Sequence, residues 1–335
     1  MGCSGERLRV ELSIIIVNWN GGQLLRRSVE SVIANPPEVA YEIVVVDNAS
    51  IDGSVELLRS SELARDLIHS GGLRIIENRE NLGFGLANNQ AFALTSSPLL
   101  LLLNPDTEVT AGSIDCLIAT VQSNSSIAAA GPRLLNADGS LQISVWRNPP
   151  AAWEILLSNL KLYLLLPRRI RGEVLLGGHW KHDHLRNVPM LSGAAILVRR
   201  TVIDAVGGFD KRFHMYGEDN EWCYRIVSAG WKLVFQPRAT ILHLGAQSSL
   251  QRWTNLEKLR VQLEANYFFQ RHSLPRHRLI TNQLASYVTA LTQDLWRRLH
   301  GVPAPDVRLG KEIHWQHLKQ AISVAANKKV PGGEE

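Results

Sequence analysis

The chain has 335 residues, 45% apolar and 20% charged, with a formal net charge of +5 and a mean hydropathy of −0.05. Such a composition fills one large core or two smaller ones and excludes disorder, collagen-like repeats and a disulfide scaffold. Its three cysteines, Cys3, Cys116 and Cys223, lack close ligand spacing, which points to a reducing compartment and away from structural zinc or thiol chemistry.

Met1 to Arg9 is polar and runs straight into an apolar stretch, without the parts of a secretory signal. The most apolar segment, Ile155 to Leu166, is broken by Ser158, Asn159 and Lys161, so no membrane span is expected. From there the first half alternates two patterns. Leu12–Val17, Glu42–Val46, Leu73–Ile76, Leu99–Leu103 and Ile127–Ala130 are compact apolar runs, as in strands buried on both faces. Between them Gln23–Ala34, Ser54–Ile68, Phe84–Thr95 and Ser113–Ser123 carry helical spacing. Strand and helix in alternation predict an α/β fold with a mostly parallel sheet flanked by helices.

Polar residues follow the strand ends in succession: Asn18 and Asn20, Asp47 and Asn48, Asn78 and Asn81, then Asn104, Asp106 and Glu108. Each alone reads as turn or cap chemistry. Four such loops at the carboxyl ends of neighbouring strands describe one ligand crevice. Asn18-Trp-Asn-Gly-Gly22 is neither a dinucleotide fingerprint nor a P-loop, which removes support for hydride transfer and P-loop phosphoryl transfer.

Beyond Pro132 come a turn at Asp138-Gly139, a helix-like stretch Ala151–Leu166 and a basic loop Arg168–Asn187 holding His179, His182 and His184. With Lys181 and Arg186 beside them, these histidines read as an exposed loop rather than a metal cluster. Gly193–Val198 reads as a strand, Gly217–Ala229 as a helix stopped at Gly230, and Lys232–Phe235 and Thr240–Leu244 as strands. The text past Trp253 is helical, basic and aromatic, interrupted at Pro275, Pro303 and Pro305. Residues 10–250 thus read as one domain and residues 251–330 as a C-terminal helical region.

Taken in order, these segments resemble an inverting glycosyltransferase of family 2 with the GT-A fold. The likeness rests on Ser13 to Asn20, Val44 to Ser50, Asn81 to Gly85 with Asn88 and Asn89, Leu103 to Glu108, Gly207 to Asp210, Gly217 to Arg225 and Leu242 to Ser248. It covers about residues 12 to 248 and is similar in flavour to bacterial rhamnosyltransferases of O-antigen and related cell-surface polysaccharides. The resemblance implies transfer of a sugar from a nucleotide-diphosphate donor, dTDP-rhamnose favoured and UDP- or GDP-sugars open, to a hydroxyl of a glycan or lipid-linked acceptor.

It implies residue roles as well. Asp47 takes the place of the carboxylate that accepts from base or ribose, against an Asx turn as the plainer reading. Asn18 and Asn48 flank it, Gly83 and Gly85 admit backbone to the nucleotide, and Asn88 or Asn89 donates an amide. Asn104-Pro-Asp106 stands where the family carries two aspartates around one residue, so the first acid is replaced by an amide. Asp106, helped by Glu108, then binds a divalent cation, Mg²⁺ or Mn²⁺, that bridges the phosphates. His243 completes that shell or contacts the diphosphate, and as a ligand it favours Mn²⁺. Asp219, at a helix start that favours carboxylates, becomes the general base, with Glu218 in support.

Residues 251–330 hold 13 Lys and Arg against 5 Asp and Glu. With Trp253, Tyr267, Phe268, Phe269, Tyr287, Trp296 and Trp315, this face suits the cytoplasmic surface of the inner membrane. Packing on the catalytic domain or a second subunit of a homo-oligomer competes with that reading. Nucleic acid is excluded for want of a recognition motif. Two rivals to the transferase remain: a sugar-nucleotide nucleotidyltransferase, which wants a basic glycine-rich first loop, and an inactive sugar-nucleotide-binding protein, which Asp47, Asp106 and Asp219 argue against. A processive synthase is excluded because Ser249-Leu-Gln-Arg-Trp253 lacks the first glutamine of its signature.

Overall fold

The computed structural model describes residues 10–147, 149–213, 216–244 and 254–323, without the side chains of 168 and 169. Met1 to Arg9, residues 245–248 of the last family segment and Gln251 to Trp253 lie outside them. Two compact units are formed, one from residues 1–146 and 181–251, the other from residues 147–180 and 252–335.

The first unit is built on one nine-stranded mixed sheet in the order β3-β2-β1-β4-β8-β6-β9-β5, with β7 also on β9. Strands β1 (Leu12–Asn18), β2 (Tyr41–Asp47), β3 (Leu73–Glu77) and β4 (Leu99–Leu103) are all parallel. Ile14, Ile16, Ile43, Val45, Leu101 and Leu103 face one continuous core. Leucine-only β4 is buried throughout because it lies inside the sheet and is covered on both faces. The crossovers are α1 (Gln23–Ala34), α2 (Ser54–Arg59), α3 (Glu62–Ser70) and α4 (Phe84–Leu94). What reads as one helix over Ser54–Ile68 is two. Ser61 caps α3 by accepting from the Ala64 N–H (3.3 Å) and donates to Glu30 (2.6 Å), which turns the chain there.

Beyond β4 the sheet changes character. β5 (Thr107–Val109), α5 (Ser113–Gln122) and β6 (Ile127–Leu135) lead toward β7 (Arg186–Val188), β8 (Ala195–Arg199), the helix α8 (Arg200–Val206), α9 (Glu218–Ser228) and β9 (Lys232–His243). β8 lies antiparallel between β4 and β6, β9 runs parallel to β6, and β5 and β7 pair antiparallel with β9. The parallel half is as the alternation predicts; the antiparallel half makes the sheet mixed. Pro237 does not end β9, because a register shift against β6 after Pro132 absorbs it.

The second unit is helical: α6 (Ala152–Asn159), α7 (Arg168–Leu175), α10 (Asn255–Ser273), α11 (Arg276–Leu299) and α12 (Pro305–Ser323). Pro275 precedes α11 and Pro305 opens α12, as fits a residue whose missing N–H is harmless in a first turn. Residues 147–180, which the linear reading assigns to the catalytic domain, pack with the C-terminal helices. The Asn282 amide donates to the Pro150 carbonyl (2.8 Å) and Asn159 to Thr289 (3.2 Å). The expected histidine loop is largely structured. His179 packs on Tyr163 (4.3 Å), and His182 is fully buried, edge-on to Phe235 (5.3 Å). His184 is exposed beside Asp183 (2.8 Å). Among the described residues no helix is long and apolar enough to cross a membrane.

Candidate active site

The carboxyl ends of β1 and β2 are laced together. Asp47 is buried and both its oxygens accept: Oδ1 from Asn18 Nδ2 (2.7 Å) and Ser50 Oγ (2.6 Å), and Oδ2 from the Ser50 N–H (2.9 Å). Asp47 thus forms an Asx turn, with Asn18 bonded also to Ser54 (2.8 Å). Asn48 donates to the Gly83 carbonyl (3.2 Å), and the Gly83 N–H donates to Asn81 Oδ1 (2.8 Å). Both backbone groups of Gly83 are thus spent within the protein. At Gly85 a Cβ would sit 3.0 Å from that of Phe209, so this glycine serves close packing.

The two asparagines of α4 turn inward. Asn88 donates to the Phe84 carbonyl of its own helix (2.9 Å). Asn89 clamps a distant loop, donating to the Phe209 carbonyl (2.8 Å) and accepting from its N–H (2.8 Å).

A second cluster forms at the end of β4. The Asn104 N–H donates to the Ala194 carbonyl (2.9 Å), and the turn through Asp106 enters β5, where Thr107 lies opposite His243. That register places His243 Nε2 3.2 Å from Asp106 Oδ1 and 3.4 Å from Asn104 Nδ2. Glu108 does not join them; its carboxylate pairs with Arg27 of α1 at 2.6 Å.

Gln142, which no motif singles out, governs the imidazole. Its Nε2 donates to Asn136 Oδ1 (3.0 Å) and the His243 carbonyl (3.4 Å), which fixes the amide orientation and turns Oε1 to His243 Nδ1 (2.5 Å). Nδ1 therefore carries the proton, and in the neutral ring Nε2 presents a lone pair toward Asp106. Two acceptors 3.2 Å apart are a donor set that a cation satisfies, and imidazole plus carboxylate suits a divalent ion whose other ligands are phosphate oxygens and water. Among the described residues no group of three or more His, Cys, Asp or Glu is arranged for a metal.

The third cluster opens α9. Glu218 is buried, and burial, then the charge of Asp219, pushes its carboxyl up to about 8. Its Oε2 has no hydrogen-bond partner. Asp219 is also raised by burial, but it accepts from the N–H groups of Gly193 (3.1 Å) and Asn220 (2.8 Å), which favour its ionised form. The pair therefore holds its proton on Glu218 and its charge on Asp219. Gly193 meets Asp219 and its neighbour Ala194 meets Asn104, so two consecutive residues join the second and third clusters.

The profile of glycosyl transferase family 2 matches residues 13–207, more than half of the chain. The chain belongs to glycosyl transferase family 2. An N-acetylglucosaminyl-diphospho-decaprenol L-rhamnosyltransferase of Mycobacterium tuberculosis is 28% identical to this family 2 chain over 264 residues, which cover 71% of it and 77% of the relative. The low-salt glycan biosynthesis hexosyltransferase Agl10 of Haloferax volcanii is 28% identical over 219 residues, 64% of this chain and 61% of its own. The solved structure of GalNAc-T7 with UDP, GalNAc and Mn²⁺ superposes with a TM-score of 0.59 at 18% identity, over 96% of this chain and 57% of that one. That last likeness is one of fold. The fold is GT-A and the protein is a glycosyltransferase, which removes the nucleotidyltransferase and the inactive binding protein.

Proposed function

We propose that the enzyme is an inverting glycosyltransferase that moves a sugar, rhamnose from dTDP-rhamnose being favoured, to a hydroxyl of a glycan or lipid-linked acceptor in cell-surface polysaccharide synthesis. The observation that carries this reading is the link through Gly193 and Ala194. It sets a carboxylate poised to take a proton one residue away from the turn that faces the diphosphate. Rhamnose as the transferred sugar is supported by the mycobacterial rhamnosyltransferase, whose name also specifies a lipid-diphosphate acceptor.

In this reading the acceptor oxygen bonds to the anomeric carbon from the face opposite the diphosphate. The C–O bond to the diphosphate breaks, its electron pair leaves with the phosphate, and the acceptor proton passes to Asp219. Glu218, already protonated, adds no second charge beside it. Asp106 and His243 would hold a divalent cation, Mg²⁺ or Mn²⁺, whose charge would offset that of the leaving diphosphate. Asp47, Asn18, Asn48, Gly83, Asn88 and Asn104 belong to the strand ends and loops that would border the nucleotide, where Asn18 Oδ1 has no hydrogen-bond partner within the protein. With a lipid-linked acceptor the enzyme works at a membrane surface.

A panel of dTDP-, UDP- and GDP-sugars, scored by thermal stabilisation and by product stereochemistry, tests this. A ligand at 100 times its dissociation constant stabilises by about 2.7 kcal/mol. Selective stabilisation by dTDP-rhamnose with inversion at the anomeric carbon is the expected outcome; stabilisation by another nucleotide sugar alone replaces the donor, and retention rejects the mechanism.

A further inference from the structure

The helical unit has an apolar end that the transferase chemistry does not use. Helix α6 runs beside α11 in the same direction. Its start is tied to Asn282 through the Pro150 carbonyl (2.8 Å), and its last residue, Asn159, to Thr289 (3.2 Å) and Gln293 (3.0 Å). Beyond that contact the chain enters a short 3₁₀ turn, Leu162–Leu165, while α11 continues to Leu299. Both segments therefore finish at one end of the unit.

Six large apolar side chains stand exposed there. In the turn, Leu162, Leu164 and Leu165 are 44%, 55% and 83% exposed; at the end of α11, Leu295, Trp296 and Leu299 are 51%, 57% and 84% exposed. The turn is a built feature. Arg171 donates to the carbonyls of Leu164 (2.7 Å) and Leu166 (2.7 Å), and its guanidinium lies 5.8 Å from the Tyr163 ring centre. The leucines are thus held outward on a braced backbone. An apolar patch of this kind marks an interaction site.

Its charge indicates the partner. From Lys161 to Leu175 the sequence holds Lys161, Arg168, Arg169 and Arg171 against one acid, Glu173. The last turns of α11 add Arg297 and Arg298, and the carboxylates near them, Asp306 and Asp294, are already paired with these arginines (3.7 and 3.0 Å). An apolar tip flanked by the described cations Lys161, Arg171, Arg297 and Arg298 complements anionic headgroups, whereas a second copy would set two cationic ends against each other.

We propose that this end of the helical unit docks on a bilayer bearing anionic lipid, the leucines and Trp296 entering the interface and the cations meeting the phosphates. The proposal deepens the membrane-surface part of the functional reading and rests on it for its purpose, but docking itself requires no acceptor.

The test is co-sedimentation of the full chain with acceptor-free vesicles of phosphatidylcholine, with and without phosphatidylglycerol, across salt concentrations. Binding is expected to anionic vesicles only, and to weaken with salt. Leu165→Ser combined with Leu299→Ser should weaken it at least about tenfold and leave circular dichroism and donor binding unchanged. Arg271→Glu, at the α10–α11 turn about 36 Å away along α11, should leave binding within about twofold. No binding by the wild type, undiminished binding by the double variant, an equal loss in Arg271→Glu, or a wild-type dimer that the double variant abolishes would overturn the proposal. Transfer to a lipid-linked acceptor in detergent reads the functional reading separately, because no bilayer is present.

Discussion

The two nitrogens of His243 both face acceptors, Gln142 Oε1 at Nδ1 and the Asp106 carboxylate at Nε2. Gln142, by accepting from Nδ1, holds the proton of the neutral ring there. Gln142→Leu removes that acceptor, and the expected result is Mn²⁺ binding in the presence of dTDP weakened by about 10- to 100-fold. Gln142→Glu keeps an acceptor at Nδ1 and should retain most of the affinity. Nitrogen NMR of the ring, with the proton on Nδ1 in the wild type and redistributed in the leucine variant, is a readout independent of turnover. Equal metal affinity in all three proteins would reject the assignment. At Glu218 the sign of the pH effect follows from its raised value. The unfolded chain releases this proton near 4.5 and the folded protein only near 8, so stability falls as pH rises through that window, by up to about 1.4 kcal/mol per pH unit. Glu218→Gln imitates the protonated form, and its denaturation curves should lack this slope while turnover at neutral pH persists. Asp219→Asn should keep donor binding and lose turnover by about 10²- to 10⁴-fold; full turnover would remove it from the base role.

Strands and helices of the parallel half were legible at the level of single segments because burial on both faces leaves an unmistakable apolar run, as in Leu99–Leu103. The polar loops were legible as a crevice, yet less so as individual roles. Asn and Asp serve equally to bind ligand and to tie loops, and nothing in the order of residues says that Asp47 spends both oxygens on Asn18 and Ser50, or that Glu108 meets Arg27. Asn89 shows the same limit. Its partner is 120 positions away, at Phe209. A Cβ on Gly208 would lie 2.1 Å from Asn89 Oδ1, so Gly208→Ala must displace that amide and break its paired bonds. The expected cost is about 1–3 kcal/mol in urea denaturation, with Asn89→Ala similar in size and the two together well short of additive. Full additivity would mean that the glycine and the amide act separately.

At the scale of the molecule, the sequence separates a basic helical C-terminal region from the sheet, but it hides that residues 147–180 belong with those helices, because partners such as Asn159 and Thr289 are 130 positions apart. The helical unit also has a buried polar interior that composition does not reveal. His317 is buried with its ring stacked on Tyr267 (4.0 Å) and its Nε2 3.0 Å from Glu264 Oε2; Nδ1 has no hydrogen-bond partner. His314 sits across from it, 3.3 Å from Gln283. Burial, and for His314 also the neighbouring His317, pushes both below the ordinary imidazole value, His314 to about 4; at His317 the Glu264 carboxylate opposes the shift. The unfolded chain therefore takes up protons near 6.5 that the folded unit refuses. Stability is intact above that value and is lost as pH falls toward 4, by about 3 kcal/mol for His314 alone. Asp294, held down to about 2 by Lys311 and Arg298, keeps its charge across that window and loses its contribution only at lower pH. Hydrogen exchange of peptides from 305–323, corrected for intrinsic rates, should accordingly show protection collapsing between pH 6.5 and pH 4 before that of β1 and β4. His314→Gln should flatten the change, and an identical pH dependence in wild type and variant would show that these imidazoles do not govern the acid lability of the helices.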